Sequence, residues 1–144
     1  MKILFDTNII LDLLLDRAPF AEHAQLLFEK IESGVVEGYL PATTITTLDY
    51  LLMKALTAKD AAHIIKKIMK LFEIAPINRL ILEDALDSGF QDFEDAVLHA
   101  SAVHCGAQAI VTRDESGFSK TRLAIYSPEA LLNVLSLKKD EHHK

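Results

Sequence analysis

The 144-residue chain contains one cysteine, no tryptophan, five glycines and four prolines. The single Cys105 excludes an internal disulfide framework and a cysteine-rich zinc site. Its neighbours Ala100, Val103 and Ala107 fit a helix filler better than a nucleophile. No repeat and no low-complexity stretch interrupts the chain. Apolar runs never approach the roughly 20 residues that cross a bilayer. The N-terminus has neither the basic stretch nor the cleavage site of a secretory leader, so a reducing cytoplasm is the expected home. Basic residues are also in deficit: Lys and Arg number 15 against 21 Asp and Glu, a formal net charge of −6. That balance argues against tight, sequence-independent nucleic-acid binding through a basic surface. Five lysines do cluster, Lys54, Lys59, Lys66, Lys67 and Lys70. They read as a solvated helix face, with a phosphate-tracking rim as the alternative.

Half of the residues are hydrophobic, enough for one domain with a real core. That domain is expected to span residues 1–137, with 138–144 a charged, frayed tail. Lys2 to Phe5 reads as a buried strand, followed by a helix from Ile9 to Leu15. Pro19 sits near the start of a second helix, Phe20 to Glu32, with Ala24, Leu27, Phe28 and Ile31 on its apolar face. Val35 to Leu40 is a second strand. Thr43 and Thr44 offer a cap for a third helix reaching about Ala55. A fourth, Lys59 to Phe72, places Ala62, Ile65, Ile68, Met69 and Phe72 on one face. Strands are expected at Glu73 to Ile77, Ala109 to Thr112 and Leu123 to Tyr126, and helices at Leu80 to Leu86, Asp92 to His104 and Pro128 to about Leu135. Strands alternating with helices predict an α/β fold: a three-layer α/β/α sandwich around a parallel sheet of about five strands, helices on both faces.

In such a sheet the strand carboxyl ends line one edge and form the binding crevice. Asp6 follows the first strand, and Asp114 follows the fourth across Thr112 and Arg113. Asp92 and Asp95 open the helix between them, whose apolar face is expected to hold Phe93, Ala96, Val97, Ala100 and Val103. Each acid has a plainer reading as well. Asp6 and Asp92 stand where helix caps stand, and Asp114 lies in a polar turn. Together, however, clustered carboxylates raise each other's pKa unless a cation joins them. Oxygen-only donors suit Mg²⁺ or Mn²⁺, which lower the pKa of bound water and steady charge on a phosphate. Asn8 and Thr112 are candidates to orient the carboxylates from behind. His99 reads as a boundary histidine or a hydrogen-bonding neighbour of Asp95. Asp12 and Asp16, four apart, read as a solvated face. A phosphotransfer role for Asp6 is a further alternative.

At these residues the chain resembles PIN domains. Phe5-Asp6-Thr7-Asn8-Ile9-Ile10-Leu11-Asp12 is similar to their opening. Asp92-Phe93-Glu94-Asp95-Ala96 and Ile110-Val111-Thr112-Arg113-Asp114 resemble their third and fourth motifs. Pro41-Ala42-Thr43-Thr44-Ile45-Thr46-Thr47-Leu48 resembles the segment entering their second, and Tyr126-Ser127-Pro128-Glu129-Ala130-Leu131 also fits. The resemblance implies a Mg²⁺- or Mn²⁺-dependent endoribonuclease acting on RNA, the toxin of a VapBC-type toxin–antitoxin pair, homodimeric and occluded by an antitoxin. It makes Asp6, Asp95 and Asp114 metal-binding and catalytic, with Asp92 an accessory acid. Two positions depart from the pattern. Thr47 stands where an acid is usual, with Asp49 about 200° away around a helix. Gly117 precedes Phe118 where another acid is frequent. These departures motivate the rival expectation, a catalytically weakened PIN domain that binds RNA or protein.

Overall fold

In a computed structural model, which describes residues 1–119 and 121–142, the chain folds as β1 (Lys2–Phe5), α1 (Thr7–Leu14), α2 (Ala21–Glu32), β2 (Glu37–Pro41), α3 (Ala42–Leu52), α4 (Ala58–Leu71), β3 (Glu73–Ala75), α5 (Arg79–Asp87), α6 (Phe93–His104), β4 (Ala109–Val111), a 3₁₀ turn (Glu115–Phe118), β5 (Ala124–Tyr126) and α7 (Pro128–His142). The five strands form one sheet in the order β3-β2-β1-β4-β5, every neighbouring pair parallel. Leu4 lies opposite Tyr39 on one side and Ile110 on the other. The strand order reverses between β1 and β4, the place where open parallel sheets bind ligands beyond their carboxyl ends. It also differs from the 2-1-3-4-5 order of receiver-type phosphotransfer folds.

The period-two alternation of a strand sorts β1 between two cores. Ile3 and Phe5 pack with Leu27 and Phe28 of α2, Leu48 of α3, Ile68 of α4 and Leu131 of α7. Leu4 and Ile110 pack on the opposite side with Leu98 and Ala102 of α6 and with Phe118. Helix α5 closes that side by packing on α6 through Ile81, Ala85, Ala96, Val97 and Ala100. The layers are therefore helix, sheet, helix, as expected. The expected apolar face of α2 is buried in full.

Elsewhere the packing departs from the sequence reading. On α4 the buried positions are Ala61 and Ile68, while Ala62 and Met69 face solvent. On α6, Ala96, Val97 and Ala100 are buried, whereas Phe93 and Val103 are about half exposed. Neither Thr43 nor Thr44 caps α3, whose N-cap is Pro41, and the helix stops at Leu52 instead of Ala55. The second strand begins two residues later than expected, because Val36 is used in the core while its amide reaches back to Lys30. Helix α7 continues to His142, past the expected end at Leu135, so most of the expected frayed tail has helical backbone. Residues 143–144 of that tail lie outside the described residues. Among the described residues no helix is long and apolar enough to cross a membrane.

Candidate acidic active site

Strand β1 delivers Asp6 to the sheet edge, and a bond from its backbone N–H to the Val111 carbonyl (3.0 Å) prolongs the β1–β4 ladder to that point. Asp6 occupies the N-cap position of α1, yet its side chain makes no capping bond. The carboxylate instead accepts a hydrogen bond from Thr112 Oγ1 at 2.8 Å. Thr112 is fully buried, and the same oxygen accepts the Asp114 backbone N–H at 3.0 Å. One hydroxyl thus ties the acid after β1 to the acid after β4. Burial pushes the Asp6 pKa up, the bond from Thr112 and the proximity of the Thr7 and Asn8 amides pull it back, and the charge of Asp114 pushes it up again.

Helix α6 brings in the other two acids. Asp92 is its N-cap and accepts the Asp95 backbone N–H at 2.9 Å, so this side chain does cap. Asp95, one turn in and half buried, points into the crevice. Its pKa is raised to about 6, first by burial and then by the charges of Asp92, Asp6, Asp114 and Glu94. Asp114 leads into the 3₁₀ turn and accepts Ser116 Oγ at 2.7 Å. Gly117 of that turn measures how near α6 and the turn approach. The point where a β-carbon would stand is 2.8 Å from Asp95 Oδ2 and 3.5 Å from Asp114 Oδ2. Asp6, Asp95 and Asp114 therefore come together, with Asp92 on the flank.

None of the ion pairs among the described residues involves these four acids. The nearest arginine in sequence is committed elsewhere. Arg113 Nε and Nη2 donate to the two oxygens of Asp12 at 2.6 and 3.0 Å, and its guanidinium lies over the Phe20 ring. Asp12 is only 1% exposed, which corrects the solvated face expected for it. An acid inside the apolar run Ile9-Ile10-Leu11-Asp12-Leu13-Leu14 was the available signal, since a buried carboxylate needs a partner. His99 is the half-buried boundary residue that was expected. It bonds Thr121 Oγ1 at 2.5 Å and packs against the Phe90 ring, and burial lowers its pKa.

At the second motif, Thr47 Oγ1 bonds the Thr43 carbonyl at 3.1 Å, so its hydroxyl serves its own helix. Thr44 is buried and meets Thr7 Oγ1 at 2.9 Å. Asp49 is exposed and is not among the charges acting on Asp6 or Asp95. Asn8 Oδ1 is buried without a hydrogen-bond partner. An apolar groove lined by Leu14, Phe28, Ile64, Ile68 and Leu71 lies between α1, α2 and α4 and contains none of the acids.

The chemistry of this donor set fits a hard divalent cation: carboxylate oxygens only, mutual repulsion, an orphaned amide oxygen close by in sequence, and, among the described residues, no cation paired with the acids. Among the described residues, no three His, Cys, Asp or Glu side chains are spaced to chelate one ion as they stand. Mg²⁺ does not require that, because it keeps several waters and takes one or two carboxylates directly.

Comparison with known proteins gives a consistent picture. The sequence model of the PIN domain family matches residues 2–116. Ribonuclease VapC1 of Aquifex aeolicus (strain VF5) is 26% identical over 123 residues, covering 82% of this chain and 85% of that protein. Among solved structures, FitAcB from Neisseria gonorrhoeae superposes with a TM-score of 0.67 at 22% identity, covering 88% of this chain and 98% of that one. VapBC-1 from nontypeable Haemophilus influenzae gives 0.67 at 15% identity, covering 90% and 99%.

Proposed function

This chain belongs to the PIN domain family, and from that membership we propose that it is a divalent-metal-dependent endoribonuclease, the toxin of a toxin–antitoxin pair. The observation that carries the reading is the meeting of Asp6, Asp95 and Asp114 at the β1–β4 switch point, with no ion pair to any of them among the described residues. Similarity to a ribonuclease supports the substrate class, and likeness to a toxin–antitoxin complex from Klebsiella pneumoniae, with a TM-score of 0.66 at 21% identity, supports the antitoxin partner. A cytoplasmic homodimer completes the proposal.

Asp6, Asp95 and Asp114 would hold Mg²⁺ or Mn²⁺. When bound, such an ion lowers the pKa of a coordinated water and neutralises charge developing on the phosphate. The rest falls to the protein. Thr112 fixes the Asp6 carboxylate and, through its bond from the Asp114 amide, the start of the turn. Asp92 holds the first turn of α6 and so the direction of Asp95, and its charge adds to the field that attracts a cation. Ser116 orients Asp114. Asn8 offers its free amide oxygen to a water or to the ion's hydration shell. The Asp12–Arg113 pair keeps the guanidinium occupied away from the acids.

Asp6→Asn and Asp95→Asn are each expected to abolish metal-dependent RNA cleavage while the circular dichroism spectrum stays native. Undiminished cleavage by clean preparations of both variants rejects the assignment. A second reading, a binding module without activity, is favoured by Thr47 and by the lack of a ready three-residue chelate among the described residues. Calorimetric titration with Mn²⁺ separates the two. Binding that Asp95→Asn removes supports the enzyme, and no binding at millimolar metal supports the module.

A further inference from the structure

Gly117 has no conformational reason to be glycine. Its backbone is not left-handed, unlike Gly34, Gly89 and Gly106. What surrounds its missing β-carbon is Asp95 and Asp114, and nothing else is nearer: Asp95 Oδ2 at 2.8 Å, Asp114 Oδ2 at 3.5 Å and Asp95 Cγ at 3.6 Å. A real β-carbon does not approach an atom to 2.8 Å, so any side chain here forces something to move. The turn itself is poorly placed to retreat. On its N-terminal side Arg113 is held by both oxygens of Asp12, and the Asp114 amide is held by Thr112. On its C-terminal side Phe118 is buried in the core, and Thr121 is bonded to His99 of α6. The free end of the Asp95 side chain is the part with freedom to move.

We infer that Gly117, which stands where PIN domains frequently carry another acid, is a positioning residue of the acidic site in this chain: with that side chain absent the Asp95 carboxylate leans across the crevice toward Asp114, and a β-carbon added to this arrangement turns Asp95 away. The inference rests on the metal-site reading above and adds to it. Asp95 belongs to α6 and Asp114 to the loop after β4, so their approach is set by the surface between those elements. Gly117 lies on that surface, beside the buried Phe118.

The test is Mn²⁺ titration by calorimetry on the full chain, comparing wild type, Gly117→Ala, Gly117→Ser and Ser119→Ala, with melting temperatures measured in chelator. Both Gly117 variants are expected to bind Mn²⁺ about 10–100-fold more weakly, the range for disturbing the groups that orient metal ligands. Their melting temperatures in chelator should equal or exceed that of wild type, because alanine or serine restricts the unfolded chain more than glycine does. Ser119→Ala, on the exposed flank of the same turn, should bind as wild type does. Wild-type affinity in Gly117→Ala overturns the inference and leaves the metal site standing. No Mn²⁺ binding by the wild-type chain overturns both.

Discussion

Thr112 governs two acids with one hydroxyl, donating to Asp6 and accepting from the Asp114 amide while fully buried. Thr112→Val keeps the shape and removes both bonds. The Asp6 carboxylate and the Asp114 N–H would then lose their partners inside the protein, and cleavage is expected to fall about 10–100-fold. Steady-state assays on a defined RNA would measure this, and unchanged turnover would remove Thr112 from the machinery. Asp95 makes a prediction of opposite sign for stability. Its folded pKa is raised to about 6 from 3.8. A carboxyl with a raised folded pKa costs stability when ionised: the penalty is full above the folded value and vanishes below the unfolded one. Asp95→Asn should therefore melt a few degrees higher than wild type in chelator at pH 7.5, with the difference closing as the pH falls below 3.8. A lower melting temperature at pH 7.5 would mean that the repulsion is relieved within the protein. The convergence of Asp6 and Asp114 was legible in the sequence because strand ends in a parallel sheet share an edge, and that of Asp95 because its helix was expected to start beside that edge. Asp12 was misread because helical spacing from Asp16 suggested solvent, while its partner Arg113 lies far along the chain and only the fold brings them together.

Between elements, the Asp12–Arg113 pair is a clamp from α1 to the loop after β4, capped by Phe20. Removing one partner of a buried pair leaves the other charge stranded, at a cost of about 3–5 kcal/mol. Asp12→Ala should lose stability in that range by urea denaturation. Asp12→Leu with Arg113→Met should recover much of it, since apolar replacement of both partners is often neutral. A loss below about 1 kcal/mol in Asp12→Ala would show the pair to behave as an exposed one does. Element type and order were largely legible, because the apolar runs and their spacing differ between strand and helix. Helix faces were less so. Helix α4 carries Ala61, Ala62, Ile64, Ile65, Ile68, Met69 and Leu71, a broad apolar arc that permits more than one buried stripe. Contact with Phe28 and Phe72 selects the stripe through Ile68, a choice no local pattern contains. Phe93 opens α6, where its side chain lies half exposed, so a residue with core character remains half in water.

For the molecule as a whole, two of these features set what binding should do. The core does not stop where the family match ends at residue 116: Leu131 and Leu135 of α7 are buried in the cluster that holds Ile3, Phe5 and Leu27. We therefore treat residues 1–137 as one cooperative unit, in which a ligand at one sheet edge stabilises everything. The acids at that edge repel one another in the metal-free chain, and a divalent ion that binds only the folded state adds RT ln(1 + [L]/Kd), about 2.7 kcal/mol at a hundredfold excess over Kd. Mn²⁺ or Mg²⁺ should thus raise the wild-type melting temperature in one concerted transition that includes α7. The same addition should leave Asp6→Asn and Asp95→Asn essentially unmoved. Sodium at equal ionic strength should not substitute, because screening weakens repulsion between exposed charges without joining carboxylates around one ion. Equal shifts from sodium and from Mn²⁺ would reduce the acidic pocket to a charge cluster, and with it the nuclease reading would lose its physical basis.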